Sequence, residues 1–338
     1  MKIAVLFGGK SEERDVSIAS GSQVVKALRE AGHEVLAVDT AQGLLSAESE
    51  KQLLTAGVAE LPPDHDELTL MSSDASPFAQ SPELQNIDTI FLVLHGGSGE
   101  DGTIQAYLDL AGIPYTGSGH LGSACAMDKD ISKRLFKLAN IPTPEWIMAP
   151  ADPEIVAQQL GYPVVVKPNQ QGSTIGLTVV KDPKELESAV NYAFQFDKEV
   201  MLERFIPGRE LTVGILNDKP LSTGEIIPNL SDIFDYQSKY QKGGATEIFP
   251  ADITPAQDER VKELALMAHQ TLKLEGFSRV DFRMDADGEF WCLEANTLPG
   301  MTETSLLPQS AQAVGINFPE LCERISQLAI DRHKQKRR

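Results

Sequence analysis

The stretch 278–301, SRVDFRMDADGEFWCLEANTLPGM, constrains this chain more than any other. Two runs of alternating character, 279–284 and 289–295, flank DADG at 285–288, a turn signal of the Asp-Gly kind that predicts a β-hairpin. A loop of two residues (287–288) or of four (285–288) is even in length, so Asp281 is expected opposite an even-numbered residue, Glu294 or Cys292. Either register puts Asp281, Glu294 and Asn296 on one face of the pleat, with Arg279 beside them. Two carboxylates and a carboxamide are hard oxygen donors, suited to Mg²⁺ completed by substrate phosphates, although such a face also reads as the solvated side of a surface hairpin. The sequel, LPGM at 298–301, is a loop able to aim backbone N–H groups at an anion.

At 338 residues the chain is too long for one small core, and two or three domains are expected. A formal net charge of -19 argues against nucleic acid as the main partner, so basic groups meant for an anionic ligand must be gathered locally. Cys125, Cys292 and Cys322 are an odd count without metal-site spacing, which predicts buried thiols in a reducing compartment. The apolar run in MKIAVLFGG is shorter than a signal peptide requires, and no run reaches membrane-spanning length. The expected location is the cytoplasm.

Strand 2–7, a Gly8-Gly9 turn, helix 16–31 and strand 34–39 make a βαβ opening. A dinucleotide site with Asp39 on a ribose is the first thought, but GGKSEER fits neither G-x-G-x-x-G nor a P-loop. Glu13 and Arg14, entering the helix, suit a small zwitterion, or an acid favouring the helix dipole. Residues 41–86 weaken into Ser, Pro, Asp and Glu, read as one helix plus loops. Strand 89–94 then runs into HGGSGEDGT, where His95 either orients a substrate group or is structural. Helix 103–110, strand 113–116 and a Gly/Ser turn close an open parallel sheet with ligand loops at the C-terminal edge of its strands.

Lys129 opens a second region with a helix to Ala139, and strand 162–168 ends in Lys167-Pro168. The loop NQQGSTIG, 169–176, can fold its N–H groups and the Ser173 hydroxyl over phosphates, although a plain hairpin fits the same letters. Strand 200–203 leads through Arg204, Phe205 and Ile206 to Glu210, a segment suited to an adenine edge followed by an acid for ribose hydroxyls. Strands 211–216 and 221–227 continue an antiparallel sheet, and the 229–246 loop, with Lys239 and Tyr240, is long enough for a lid. Helix 255–274 delivers the chain to the hairpin, Ser305-Leu306 and Asn317 begin further helices, and the basic end from Arg332 reads as a solvated tail.

In order and approximate spacing, GGKSEERDVS, LHGGSGEDGT, YTGSG with MDK, VVVKPNQQGST, ERFIPGRELTV, FDYQSKY, RVDF and LEANTLPGMTETSLLP resemble the ATP-grasp superfamily and, within it, the D-alanine:D-alanine ligase family. The resemblance spans nearly the whole chain. It implies an N-terminal Rossmann-like open parallel sheet (1–128), then an ATP-grasp fold of two antiparallel-sheet α+β subdomains (129–210 and 211–338, with the lid). It also implies that Lys129 and Lys167 meet ATP phosphates under the Ser173 loop, while Glu203, Arg204, Phe205, Ile206 and Glu210 hold adenosine. Asp281, Glu294 and Asn296 match ligands of two Mg²⁺ (or Mn²⁺) ions, with a monovalent cation as an option. Glu13, grouped with Ser173 and Tyr240, matches the residue that binds the first D-alanine's ammonium, and His95 lies near that substrate. Lys239 would approach the γ-phosphate, Arg279 and the N–H of Gly300 would stabilise oxyanion charge, and Ser305 and Leu306 would seat the second D-alanine.

The implied reaction is ATP-dependent formation of D-alanyl-D-alanine through a D-alanyl phosphate for peptidoglycan synthesis, in a cytoplasmic homodimer. The alternatives are a D-lactate, D-serine or other carboxylate-amine ligase on the same scaffold and, from another class, a non-catalytic nucleotide-binding protein, which would lack a metal ligand or phosphate lysine. Serine and zinc hydrolases are disfavoured, since neither G-x-S-x-G nor H-E-x-x-H occurs. Residues 41–86 exceed the shorter family members and touch none of these motifs, which leaves open the shape of the first domain and its dimer contact.

Overall fold

The run Lys2–Phe7 is buried from Ile3 onward and forms β1, parallel to β2 (Glu34–Asp39) on one side. Short β3 (Gly43–Leu44) adds to β2 antiparallel, and β4 (Thr89–Leu92) lies parallel to β1 on the other side, giving the order β3-β2-β1-β4. A strand with both faces covered reads as a continuous apolar run, which is why β1 and β4 stood out in the sequence. The short strand expected at 113–116 is a single parallel bridge, Ile90 to Tyr115. A helix over His120–Met127 replaces part of the expected Gly/Ser turn. The computed structural model describes residues 1–11, 13–53, 86–229 and 244–336. Most of the 41–86 segment and most of the 229–246 loop, with Lys239 and Tyr240, lie outside the described residues.

The second sheet contains β5 (Trp146–Met148), β6 (Val164–Pro168), β7 (Thr178–Val180) and β8 (Val200–Arg204), in the antiparallel order β5-β8-β6-β7. Val164, Val166, Val200 and Leu202 turn into a core with the helices Pro153–Gln159 and Leu186–Ala193. By strand alternation Lys167 and Glu203 are left on the opposite face.

The third sheet runs β11-β10-β9-β12-β13, from β9 (Arg209–Leu216), β10 (Lys219–Pro228), β11 (Ala245–Ile248), β12 (Phe277–Met284) and β13 (Phe290–Asn296). Its even-numbered β12 residues Val280, Phe282 and Met284 pack on the helix Pro255–Thr271, which opens with a Thr254–Gln257 capping box. Arg279, Asp281 and Arg283 therefore face away from that core.

The hairpin forms, but not by the expected parity. Asp285 starts a turn closed by the Gly288 N–H on its carbonyl (3.1 Å), with Gly288 at φ 83° and Met284 opposite Phe290. The Asp285 carboxylate accepts from the N–H groups of Asp287 and Glu289 and from Trp291 Nε1. The loop is thus odd in length, and regular pairing would set Asp281 against Leu293. A β-bulge restores the balance: Phe282 pairs with Cys292 but Asp281 with Glu294, so Leu293 is the extra residue. Leu293 and Glu294 consequently both turn toward the second sheet.

The carboxy-terminal helix Phe318–Lys336 packs Phe318, Leu321, Cys322 and Ile325 into the same apolar cluster as the first sheet. Arg332, expected in a solvated tail, instead donates to the carbonyl oxygens of Tyr115 (2.7 Å) and Gly117, with its guanidinium 4.6 Å from the Tyr115 ring centre. Cys292 and Cys322 are buried thiols and Cys125 is half-buried; all three are free. Among the described residues no helix is long and apolar enough to cross a membrane.

Candidate active site

The second and third sheets enclose a cleft between their polar faces. Lys167 and Glu203 come from the second sheet, while Glu210, Asp281, Arg283 and Glu294 come from the third. Lys129, at the first turn of the helix Lys129–Leu138, donates to the Gln171 carbonyl (2.7 Å) and lies 3.2 Å from Glu294. Lys167 bonds Glu203 at 2.7 Å. Because the whole chain is acidic, these paired cations are the local basic patch the composition required.

Asp281 is nearly buried and fully bonded. Arg279, two residues away on the same strand face, grips both its oxygens (2.9 and 2.8 Å), Thr212 donates at 2.7 Å, and the Asn296 amide donates at 2.9 Å. With Glu294 directly across the ladder, two carboxylates and a carboxamide converge on one wall. That donor set fits a hard divalent cation whose other ligands come from outside the protein. Among the described residues no group of three or more His, Cys, Asp or Glu side chains gathers as an all-protein metal site.

The segment Glu203 to Ile206 lines the cleft together with Leu293. Arg204 contributes main chain there, since its guanidinium is tied to the Gln159 and Leu160 carbonyls. Arg283, which the sequence did not single out, ties this corner together: it donates to the carbonyls of Ile206 (3.1 Å) and Gly208 (2.8 Å), contacts Glu210 (3.3 Å) and stacks near Phe205. Gly208 sits at φ 135°, where a β-carbon would strike the Met284 carbonyl.

A second cavity opens beyond Ser173 and Arg279, lined also by Glu13, His95, Glu100, Asn296, Gly300 and Ser305. Gly172, Ser173, Arg279 and Leu306 line both spaces, so the two adjoin. Ser173 and Thr174 both adopt left-handed φ, 50° and 64°, a strained arrangement for non-glycine residues. It lets Ser173 Oγ reach Glu13 Oε1 across 160 residues of sequence. Glu13 immediately precedes the helix Arg14–Glu30, and the Gly8-Gly9 turn next to it is not a nucleotide loop: Asp39 is buried and taken by Arg14 at 2.5 Å.

His95 is held by the Leu298 carbonyl on Nδ1 (3.0 Å), and burial lowers its pKa, so it is a neutral donor there. Glu100 was missed in the sequence although it sits among the HGGSGEDGT glycines. Its carboxylate accepts from the Gly96 N–H (2.7 Å), and burial with the nearby Glu13 charge pushes its pKa up to about 8. Glu247, also missed, is raised by burial too. Ser305 caps the helix Leu306–Gln312 in position, with its hydroxyl accepting from the Thr302 N–H, and Gly300 packs against it.

Every site residue that the resemblance implies, among those described, lines one of these two spaces, whereas Arg14, also read as suited to a zwitterion, is taken by Asp39 and lines neither. The chain matches the families described as D-ala D-ala ligase N-terminus, over residues 2–118, and D-ala D-ala ligase C-terminus, over residues 135–327. It is 41% identical over 329 residues to the D-alanine–D-alanine ligase of Geobacter sulfurreducens, covering 96% of this chain and 92% of that one. With the ligase of Gloeobacter violaceus it shares 39% over 336 residues, 98% of this chain and all of the other, 100%. The Coxiella burnetii ligase structure superposes with a TM-score of 0.81 at 29% identity, over 100% of this chain and 96% of that one. A Bacillus anthracis ligase complexed with ATP gives 0.76 at 32%, covering 99% of each chain. By sequence along its whole length and by fold, the chain belongs to the D-alanine–D-alanine ligase family.

Proposed function

We propose that the protein joins two D-alanine molecules into D-alanyl-D-alanine for peptidoglycan precursors, consuming ATP and releasing ADP and phosphate through a D-alanyl phosphate. The observation that carries this reading is that a lysine-lined cleft and a more polar cavity share a wall at Ser173 and Arg279. A nucleotide in the first and an amino acid in the second would meet there.

In this reading Lys129 and Lys167 bind the phosphates, with Lys239 approaching the γ-phosphate. The Glu203, Arg204, Phe205 and Ile206 backbone takes the adenine edge, and Glu210 the ribose. Glu13, in a group with Ser173 and Tyr240, holds the ammonium of the first D-alanine near His95, and this hold aims the D-alanine carboxylate at the γ-phosphorus. Two Mg²⁺ or Mn²⁺ ions held by Asp281, Glu294 and Asn296 would supply charge neutralisation on the phosphate oxygens. The fit rests on the convergence of these hard donors.

Carboxylate oxygen attacks phosphorus as ADP leaves, and positioning plus electrostatic stabilisation by the lysines and Arg279 lowers that barrier. The neutral amine of the second D-alanine, seated by Ser305 and Leu306, then attacks the acyl carbon. Arg279 and the Gly300 N–H face the developing oxyanion, which collapses with expulsion of phosphate, and the amine loses its proton. We further take the chain as three units, 1–128, 129–210 and 211–338, acting as a homodimer in the cytoplasm.

Incubation with ATP, magnesium and D-alanine should release ADP and phosphate in equal amounts and yield D-alanyl-D-alanine by mass. D-lactate or D-serine offered alongside should enter the second position poorly. Product only with another acceptor would overturn the assignment.

A further inference from the structure

Lys133 lies one helical turn beyond Lys129, yet it is fully buried and lines neither cavity. Its ammonium donates to Glu203 Oε2 at 2.5 Å, while Lys167 donates to Oε1 of the same carboxylate at 2.7 Å. It also stands 5.2 Å from the centre of the Trp146 ring. Two buried cations thus share one buried anion. Burial alone would raise the Glu203 pKa, but the two lysines hold it below its usual value. For Lys133 burial dominates and lowers the pKa to about 8 against the pull of Glu203, so it remains mostly charged at neutral pH.

A single Glu203–Lys167 pair would trap Lys167. Drawing its ammonium away would leave a bare carboxylate in the core, and a buried pair broken at one partner is far more costly than an exposed one. Lys167 stands on the cleft face of β6 with a flexible four-carbon stem, whereas Lys133 reaches Glu203 from the helix Lys129–Leu138 and lines neither cavity. We propose that Lys133 is a positioning residue that keeps Glu203 neutralised from the rear, freeing Lys167 to leave Glu203 and grip a nucleotide's phosphates. The inference rests on the reading that Lys167 meets phosphate.

Calorimetric binding of ATP and of adenosine, which has no phosphate, tests it in the wild type, Lys133→Met, Glu203→Gln and the double variant. The wild type binds ATP; failure there refutes the functional reading rather than this inference. Lys133→Met weakens ATP by at least about tenfold and adenosine by no more than about twofold. In the Glu203→Gln background the same lysine change alters ATP affinity by less than about twofold, because no buried carboxylate remains to hold Lys167. The double variant removes both buried charges together, so a loss there relative to Glu203→Gln overturns the proposal even if Lys133→Met alone fails to fold. Unchanged ATP affinity in Lys133→Met, an equal loss for adenosine, or a loss that persists when Glu203→Gln is also present overturns the proposal.

Discussion

Replacing Arg279 by Met tests whether the cation shared by the two cavities serves both structure and chemistry. Asp281 is 8% exposed, and its two oxygens accept both arms of Arg279 at 2.9 and 2.8 Å. Removing one partner of a buried ion pair costs about 3–5 kcal/mol, because the other charge stays behind. Thr212 and Asn296 still donate to Asp281, so the lower end, about 3 kcal/mol, is expected. At about 2 °C per kcal/mol for a long chain, the thermal midpoint should drop by about 6 °C. Turnover should fall further than stability explains, by about 10²–10³ at a temperature where the variant is folded, as when one oxyanion donor is lost. Circular dichroism melting and ADP release measure the two separately. A midpoint within about 1 °C of wild type would refute the charge balance at Asp281, and turnover within about fivefold would refute the role given to Arg279.

Glu294→Gln should cut turnover by orders of magnitude and raise the magnesium requirement, since a neutral amide ligates the ion poorly; near-normal rates at low magnesium would contradict the metal assignment. Glu100, with its pKa near 8, is protonated at neutral pH and becomes a second negative charge beside Glu13 as pH rises. The KM for the first D-alanine should therefore fall between about pH 7 and 9, and Glu100→Gln should flatten that limb; an unchanged slope in the variant would exclude Glu100 as its source. Tyr240→Phe should raise D-lactate incorporation, and product ratios that stay fixed across pH would count against that role.

What the sequence disclosed follows from the range of the interactions involved. The hairpin was visible because its turn and alternation are local, yet its register was reached for the wrong reason. Nothing in the letters marks Leu293 as a bulge, and only the pairing of Asp281 with Glu294 reveals it. Lys167 and Glu203 stood out as charges at the ends of apolar strands. Lys133 did not, because within DISKRLFKL a lysine at helical spacing looks like any surface cation, and its partner lies 70 residues away. Arg332 was hidden by its basic neighbours in the same way, its acceptors lying more than 200 residues back. The helix His120–Met127 was missed because HLGSACAM has weak propensity and its formation rests on packing around Ala126 and Gly122.

The central claim is that a carboxylate is activated by phosphorylation at the junction of the two cavities. D-alanine carrying heavy oxygen in its carboxylate tests it most directly, with the mass of the released phosphate as readout. Transfer of one labelled oxygen into phosphate for each dipeptide formed is the predicted result. Dipeptide accompanied by unlabelled phosphate would mean that no acyl phosphate forms, and the mechanism built on Arg279, Lys167 and the Asp281 wall would be contradicted.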